Sequence, residues 1–266
     1  MSEPSSRRQF LKSITALGAA SLPASEGAGE PASATPPTRV PRHGAHVGRG
    51  TDADAYLFLN APEAAFLDAA LARLIPADDL GPGAREAGVT HFIDRELAGA
   101  FGAGARQYRA GPWPEGTPEQ GFQSRLTPRE IYRAAIAETD EYCRQHHGRP
   151  FSDLDDARRD EVLLGLESGT ITLETYPAAQ FFALLWSNTR EGFFADPIYG
   201  GNRDKAGWRL VGFPGVAASY IDEIEKHGVA YRVEPVSIAE MRAGSVAVDA
   251  HGHPVHVPHR GGTGEP

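Results

Sequence analysis

Ala178-Ala179-Gln180-Phe181-Phe182-Ala183-Leu184-Leu185-Trp186-Ser187-Asn188-Thr189-Arg190 decides how the chain is built. Phe181, Phe182, Leu184, Leu185 and Trp186 surround the axis of a helix almost completely. A helix that is apolar all round has to lie among other helices. Thr175-Tyr176-Pro177 opens it, since Pro closes off the preceding turn and suits a helix start.

The surrounding helices can be read outward from there. Asn60-Ala61-Pro62-Glu63 sets a capping side chain before a Pro in the first turn, and Phe66, Leu67, Ala70, Leu71 and Leu74 follow at helical spacing. Ile75-Pro76-Ala77-Asp78-Asp79 ends that run. A second helix is predicted over 84–98, with Val89, Phe92, Ile93 and Leu97 on one side. Thr127-Pro128-Arg129-Glu130 is a capping box that starts a third helix, to about Gln145. Tyr132, Ile136 and Cys143 share one face of it, so Cys143 reads as a small buried hydrophobe with an inert thiol, and His146-His147 marks its polar end. A fourth helix covers 154–166. A last helix is predicted over 216–226, and short strands near 230–233 and 245–248 are too few for a sheet core. The fold class is mainly α: a single helical domain over 51–236 with long Gly/Pro/aromatic loops, then a largely irregular C-terminal extension, 237–266.

The first fifty residues are different. Ser6-Arg7-Arg8-Gln9-Phe10-Leu11-Lys12 precedes a short, mildly apolar run ending near Leu22, which is the twin-arginine export pattern carried by Arg7, Arg8, Phe10, Leu11 and Lys12. Residues 23–50 are rich in Pro, Gly, Ala and Ser without an apolar period, so a disordered linker is expected. This region holds six Lys/Arg against three acids, and the rest of the chain 20 against 32. Twin-arginine export carries folded cargo, which suits a protein loaded with a cofactor in the cytoplasm or one that ferries a partner lacking its own signal. The expected location is the periplasm.

Composition bounds the chemistry. With 266 residues, 41% apolar, the chain can bury a core. A net charge of −9 repels phosphates and argues against nucleic acid. One cysteine excludes an intrachain disulfide, a cysteine-held iron–sulfur cluster and a C-x-x-C-H haem site. No apolar run approaches the roughly 18 residues of a membrane span.

Two loops carry information. Gly111 to Gln123 is too rich in Gly and Pro for regular structure, and its Trp113, Gln120 and Phe122 are candidates either for packing onto the helices or for anchoring a partner. Glu191 to Gly215 holds six glycines among Phe194, Asp196, Tyr199, Asn202, Arg203, Asp204 and Trp208. Asp196-Pro197 starts a turn there and Asn202 is placed to cap a short helical turn. Its spacing is not that of a phosphate or dinucleotide loop. Asp196, Asn202, Arg203 and Asp204 read either as a catalytic constellation or as a hydrogen-bonded scaffold or interface. The second is favoured, because spacing alone assembles neither an acid/base pair nor a nucleophile with its base.

The Gly-Gly-Asn-Arg-Asp-x-Ala-Gly-Trp core at 200–208, the 111–123 loop and the Thr127-Pro128-Arg129-Glu130-Ile131-Tyr132-Arg133 helix start resemble the gluconate 2-dehydrogenase subunit 3 family over about residues 56–236. The resemblance implies a small, non-catalytic subunit of a membrane-associated sugar or polyol dehydrogenase complex. Its large flavoprotein subunit, of the glucose–methanol–choline type, would hold FAD, and a third, cytochrome c subunit would hold haem c. No cofactor is implied for this chain. The small subunit would carry the export signal for the large one and support its folding, and would meet the membrane only through the complex.

A self-sufficient periplasmic metal enzyme and a stand-alone binding module remain as alternatives. The first would draw on Asp196, Asp204 or the tail histidines His251, His253, His256 and His259, whose Gly- and Pro-interrupted tract gives no fixed support for a metal.

Overall fold

The computed structural model describes residues 55–107, 110–114, 116–117, 124–216, 220, 223–229 and 231–257. The export signal and linker, Gln120, Phe122 and His259 lie outside the described residues.

Five long helices form where capping chemistry and apolar period coincide: α1 (Ala61–Leu74), α2 (Val89–Ala98), α3 (Pro128–His147), α4 (Asp156–Ser168) and α5 (Ala178–Phe194). Asn60 and Glu63 close a capping box on α1, as Thr127 and Glu130 do on α3. Asp155 caps α4 through Arg158 N. Two short helices follow, α6 (Ala206–Val211) and α7 (Ile238–Ala243).

Helix α5 packs against α1, α2, α3, α4 and α6, as its apolar girth requires. Phe181, Leu185 and Phe193 of α5 are fully buried with Phe66, Leu67, Leu71 and Leu74 of α1, Ile93 and Leu97 of α2, Tyr132 of α3 and Leu166 of α4. Each such side chain contributes about 1.5–3 kcal/mol by leaving water. Tyr132 spends its hydroxyl on Asn188 Oδ1 at 2.8 Å, and burial raises its pKa, reinforced by Glu191. Cys143 is buried on α3, where burial and then Asp140 push its thiol up to about 12; it stays protonated and unreactive at neutral pH.

Polar clamps fix the helices at their rims. Arg73 of α1 makes a bidentate pair with Asp160 of α4, at 2.7 and 2.6 Å, and reaches Asp156 at 2.8 Å. The buried carboxylate of Asp94 on α2 accepts from the backbone N–H groups of Leu57, Phe58 and Leu59, which pins the chain as it enters the body.

Three details differ from expectation. Helix α2 begins at Val89 rather than 84, because the chain first makes a tight turn in which Val89 N donates to Ala84 O and Gly88 sits at φ +75°. Helix α5 runs four residues past Arg190 and so carries Phe193 into the core. The helix predicted over 216–226 does not form among its described residues, which make separate turns instead, with Glu223 N donating to Tyr220 O and Lys226 N to Glu223 O. Among the described residues near the predicted strands there are only isolated bridges, Gly215 to Val236 and Val248 to Pro254.

Candidate functional site

The Gly-rich segment after α5 is ordered by side chains bonded to backbone. Asn202 is completely buried at φ +50°; its Nδ2 donates to Ala195 O and its Oδ1 accepts from Gly207 N, both at 2.8 Å. Both ends of the amide are therefore spent closing the loop between α5 and α6. It occupies the N-cap position of the 3-10 turn Arg203–Lys205 without making the capping bond that its place in sequence suggests.

Its neighbours do similar work. Asp196 is buried, with Oδ1 capping Ile198 N at 3.0 Å and Oδ2 accepting from Ile238 N at 2.7 Å. It thereby fastens the start of α7 to the turn Pro197–Tyr199. Trp208 is buried in α6 and donates Nε1–H to Phe194 O at 2.7 Å, while Phe213 meets its ring edge-on at 5.3 Å. Arg203 N donates to Ala87 O and its side chain lies over Gly88.

Two glycines explain why the motif is so constrained. A Cβ on Gly201 would stand 2.2 Å from Gly192 O, and one on Gly207 2.1 Å from Phe193 O. Both glycines permit the returning loop to lie directly against the C-terminal turns of α5. The atoms they approach are this chain's own backbone, so these two glycines serve the packing of the loop.

Lys205 and Glu240, which the motif reading did not single out, complete the hub. Lys205 Nζ reaches Pro235 O at 2.8 Å and Glu240 Oε1 at 2.7 Å, and Glu240 also closes a capping box with Ser237. Burial opposes its ionisation, but Lys205 and Ser237 prevail and hold its carboxyl below the usual range. Ser237-Ile238-Ala239-Glu240 is a legible capping signature; nothing in sequence announced its lysine partner.

The remaining candidates face outward. Phe194 and Tyr199 are 40% and 53% exposed, Asp204 is exposed at φ +55°, and Trp113 is 40% exposed with its ring folded over Gly111. The structure therefore brings Asp196, Asn202 and Trp208 into one packed hub, sets the exposed Arg203 at its edge over Gly88, and leaves Trp113 on a separate loop. Of the tail histidines, His256 sets Nδ1 near Glu234 O at 3.3 Å and Nε2 near Val216 O at 3.1 Å, and His253 pairs with Asp249 at 3.4 Å. Among the described residues no three His, Cys, Asp or Glu side chains converge to hold a metal ion.

No curated protein and no solved structure matches the chain. A family model described as gluconate 2-dehydrogenase subunit 3 matches residues 61–215, from the first residue of α1 to the glycine that closes the hub. That span is more than half of the sequence and contains every hydrogen bond of the Asn202 staple, so the chain belongs to the gluconate 2-dehydrogenase subunit 3 family.

Proposed function

We propose that this chain is a non-catalytic accessory subunit of an exported sugar or polyol dehydrogenase complex. The chemistry resides in a large flavoprotein subunit of the glucose–methanol–choline type that holds FAD, and a cytochrome c subunit takes the electrons. This chain lends the complex its twin-arginine signal through Arg7, Arg8, Phe10, Leu11 and Lys12. It then supports the large subunit in the periplasm and meets the membrane only through the complex.

The observation that carries this reading is how the polar groups of the family segment are used. Asp196, Asn202 and the Trp208 indole are buried and bonded within the chain, each holding one loop to another. Groups so engaged are scaffold; a catalytic acid or base needs access to a substrate proton. Aromatic side chains at Phe194 and Tyr199 meanwhile face water, as anchors for a partner do.

The test is replacement of Arg7 and Arg8 by Lys in the native host, followed by cell fractionation. Both this chain and the flavoprotein are expected to stay in the cytoplasm. Normal export of the flavoprotein in that strain would refute the carrier role. Purified wild-type complex is expected to be yellow, with oxidation of the sugar or polyol confined to preparations containing the large subunit.

A further inference from the structure

Beyond the hub, α6 and the extended segment at 232–235 enclose a groove of about 420 Å³, within the range of roughly 300–1,000 Å³ typical of ligand pockets. Trp208, Val211 and Phe213 line one side; Arg232, Val233 and Pro235 line the other.

The groove is held open from behind. Val236 N donates to Pro214 O at 3.0 Å and Val216 N to Val236 O at 2.7 Å, while Lys205 Nζ holds Pro235 O. These bonds fix the separation of the walls without filling the space between them, so an occupant meets a preformed surface.

Its lining is mixed in a particular way. Val211 and Phe213 are 60% and 46% exposed, two large apolar side chains that line the groove and face water. Arg209 already has a carboxylate, Glu234, at 3.2 Å. Arg232 is exposed, and no ion pair reaches it among the described residues. An unpaired guanidinium beside an apolar wall, on a chain of net charge −9, is a local inversion of the surface. It complements an apolar side chain with a carboxylate next to it, and Arg can grip that carboxylate through two parallel N–H donors.

One wall lies inside the family match and the other beyond its end at residue 215.

We propose that this groove docks a segment of the large subunit's polypeptide in which an Asp or Glu carboxylate adjoins an apolar side chain, the carboxylate on Arg232 and the apolar group against Val211 and Phe213. The proposal rests on the accessory-subunit reading and names the surface through which it operates.

The experiment uses the full chain co-expressed with its complex in the native host. A photo-cross-linking residue at Val211 is expected to trap a large-subunit peptide containing Asp or Glu within a few residues of an apolar side chain. Arg232→Gln and Phe213→Ser are each expected to weaken the purified complex at least tenfold, and Leu164→Ser, on the exposed face of α4, to leave it unchanged. Added salt should weaken the wild type more than Arg232→Gln. Phe213→Ser could also loosen Trp208, but Arg232 is a surface side chain, so Arg232→Gln tests the groove without risk to the fold. A wild-type complex that forms while Arg232→Gln and Phe213→Ser bind at full strength overturns the groove and spares the accessory role. A wild-type chain that captures no dehydrogenase subunit overturns both. A cross-link to a second copy of this chain, to lipid or to a small acid overturns the groove's assignment.

Discussion

Asn202 shows how much one side chain does here. It sits in the left-handed region, which Asn tolerates better than most residues, and both ends of its amide meet buried backbone. Asn202→Ala strands Ala195 O and Gly207 N together, and each orphaned group costs about 1–3 kcal/mol. The expected loss is about 2–6 kcal/mol in urea unfolding, with the slope unchanged. Asn202→Asp keeps an acceptor for Gly207 N but sets a buried carboxylate oxygen against Ala195 O, so at neutral pH it should be at least as destabilising as Asn202→Ala, and it should recover at low pH, where a protonated carboxyl can donate to Ala195 O. Equal stability of Asn202→Ala and wild type would show that the loop is held by packing around Trp208 and not by the amide.

At the scale of elements, α7 hangs on charge more than on burial, since none of its residues is fully buried. Its anchors are Asp196 Oδ2 on Ile238 N and the Lys205–Glu240 pair. Because Glu240 is held below its ordinary pKa in the folded chain, its contribution is present above the unfolded value, about 4.3, and is lost as pH falls through the lower folded value. The protection factors of the α7 amides, corrected for intrinsic exchange at each pH, should therefore fall on acidification below about pH 4.3 while α5 amides stay protected. Glu240→Gln should show faster exchange in α7 already at pH 7 and a flatter pH response. An identical pH profile in wild type and Glu240→Gln would remove Glu240 from the attachment.

The same element marks where sequence reading works and where it stops. Helices α1 and α3 were legible because a capping box and an apolar period say the same thing locally, α4 through Val162, Leu163 and Leu166, and α5 through a run that is apolar all round behind Pro177. The Ser237–Glu240 capping box was equally local, yet six residues carry too little periodicity to stand out. The hub was legible as composition and not as geometry. Six glycines in 191–215 announce close approach, but that Gly201 meets Gly192 and that Lys205 meets Glu240 depends on contacts made only after α5 is packed. Among its described residues the helix predicted over 216–226 gives way to separate turns, Glu223 N to Tyr220 O and Lys226 N to Glu223 O, which an apolar period does not foretell.

For the whole molecule, the distribution of exposed apolar side chains argues for an incomplete object. Phe194, Tyr199, Val211, Phe213, Tyr220, Ile224 and Val229 all stand in water between the end of α5 and residue 229. A partner that covers this region binds the folded chain and not the unfolded one, so it stabilises by mass action: about 2.7 kcal/mol at a hundredfold excess over Kd. For a folded body of roughly 200 residues, each kcal/mol moves Tm by about 2–4 °C, which predicts a rise of about 5–11 °C on adding the large subunit at that excess. The rise should grow with the logarithm of partner concentration and shrink for Arg232→Gln at equal concentration, since a weaker complex contributes less. A melting temperature indifferent to the large subunit would mean that its binding, if any, is uncoupled from folding. The exposed side chains between 194 and 229 would then need another explanation than a missing subunit.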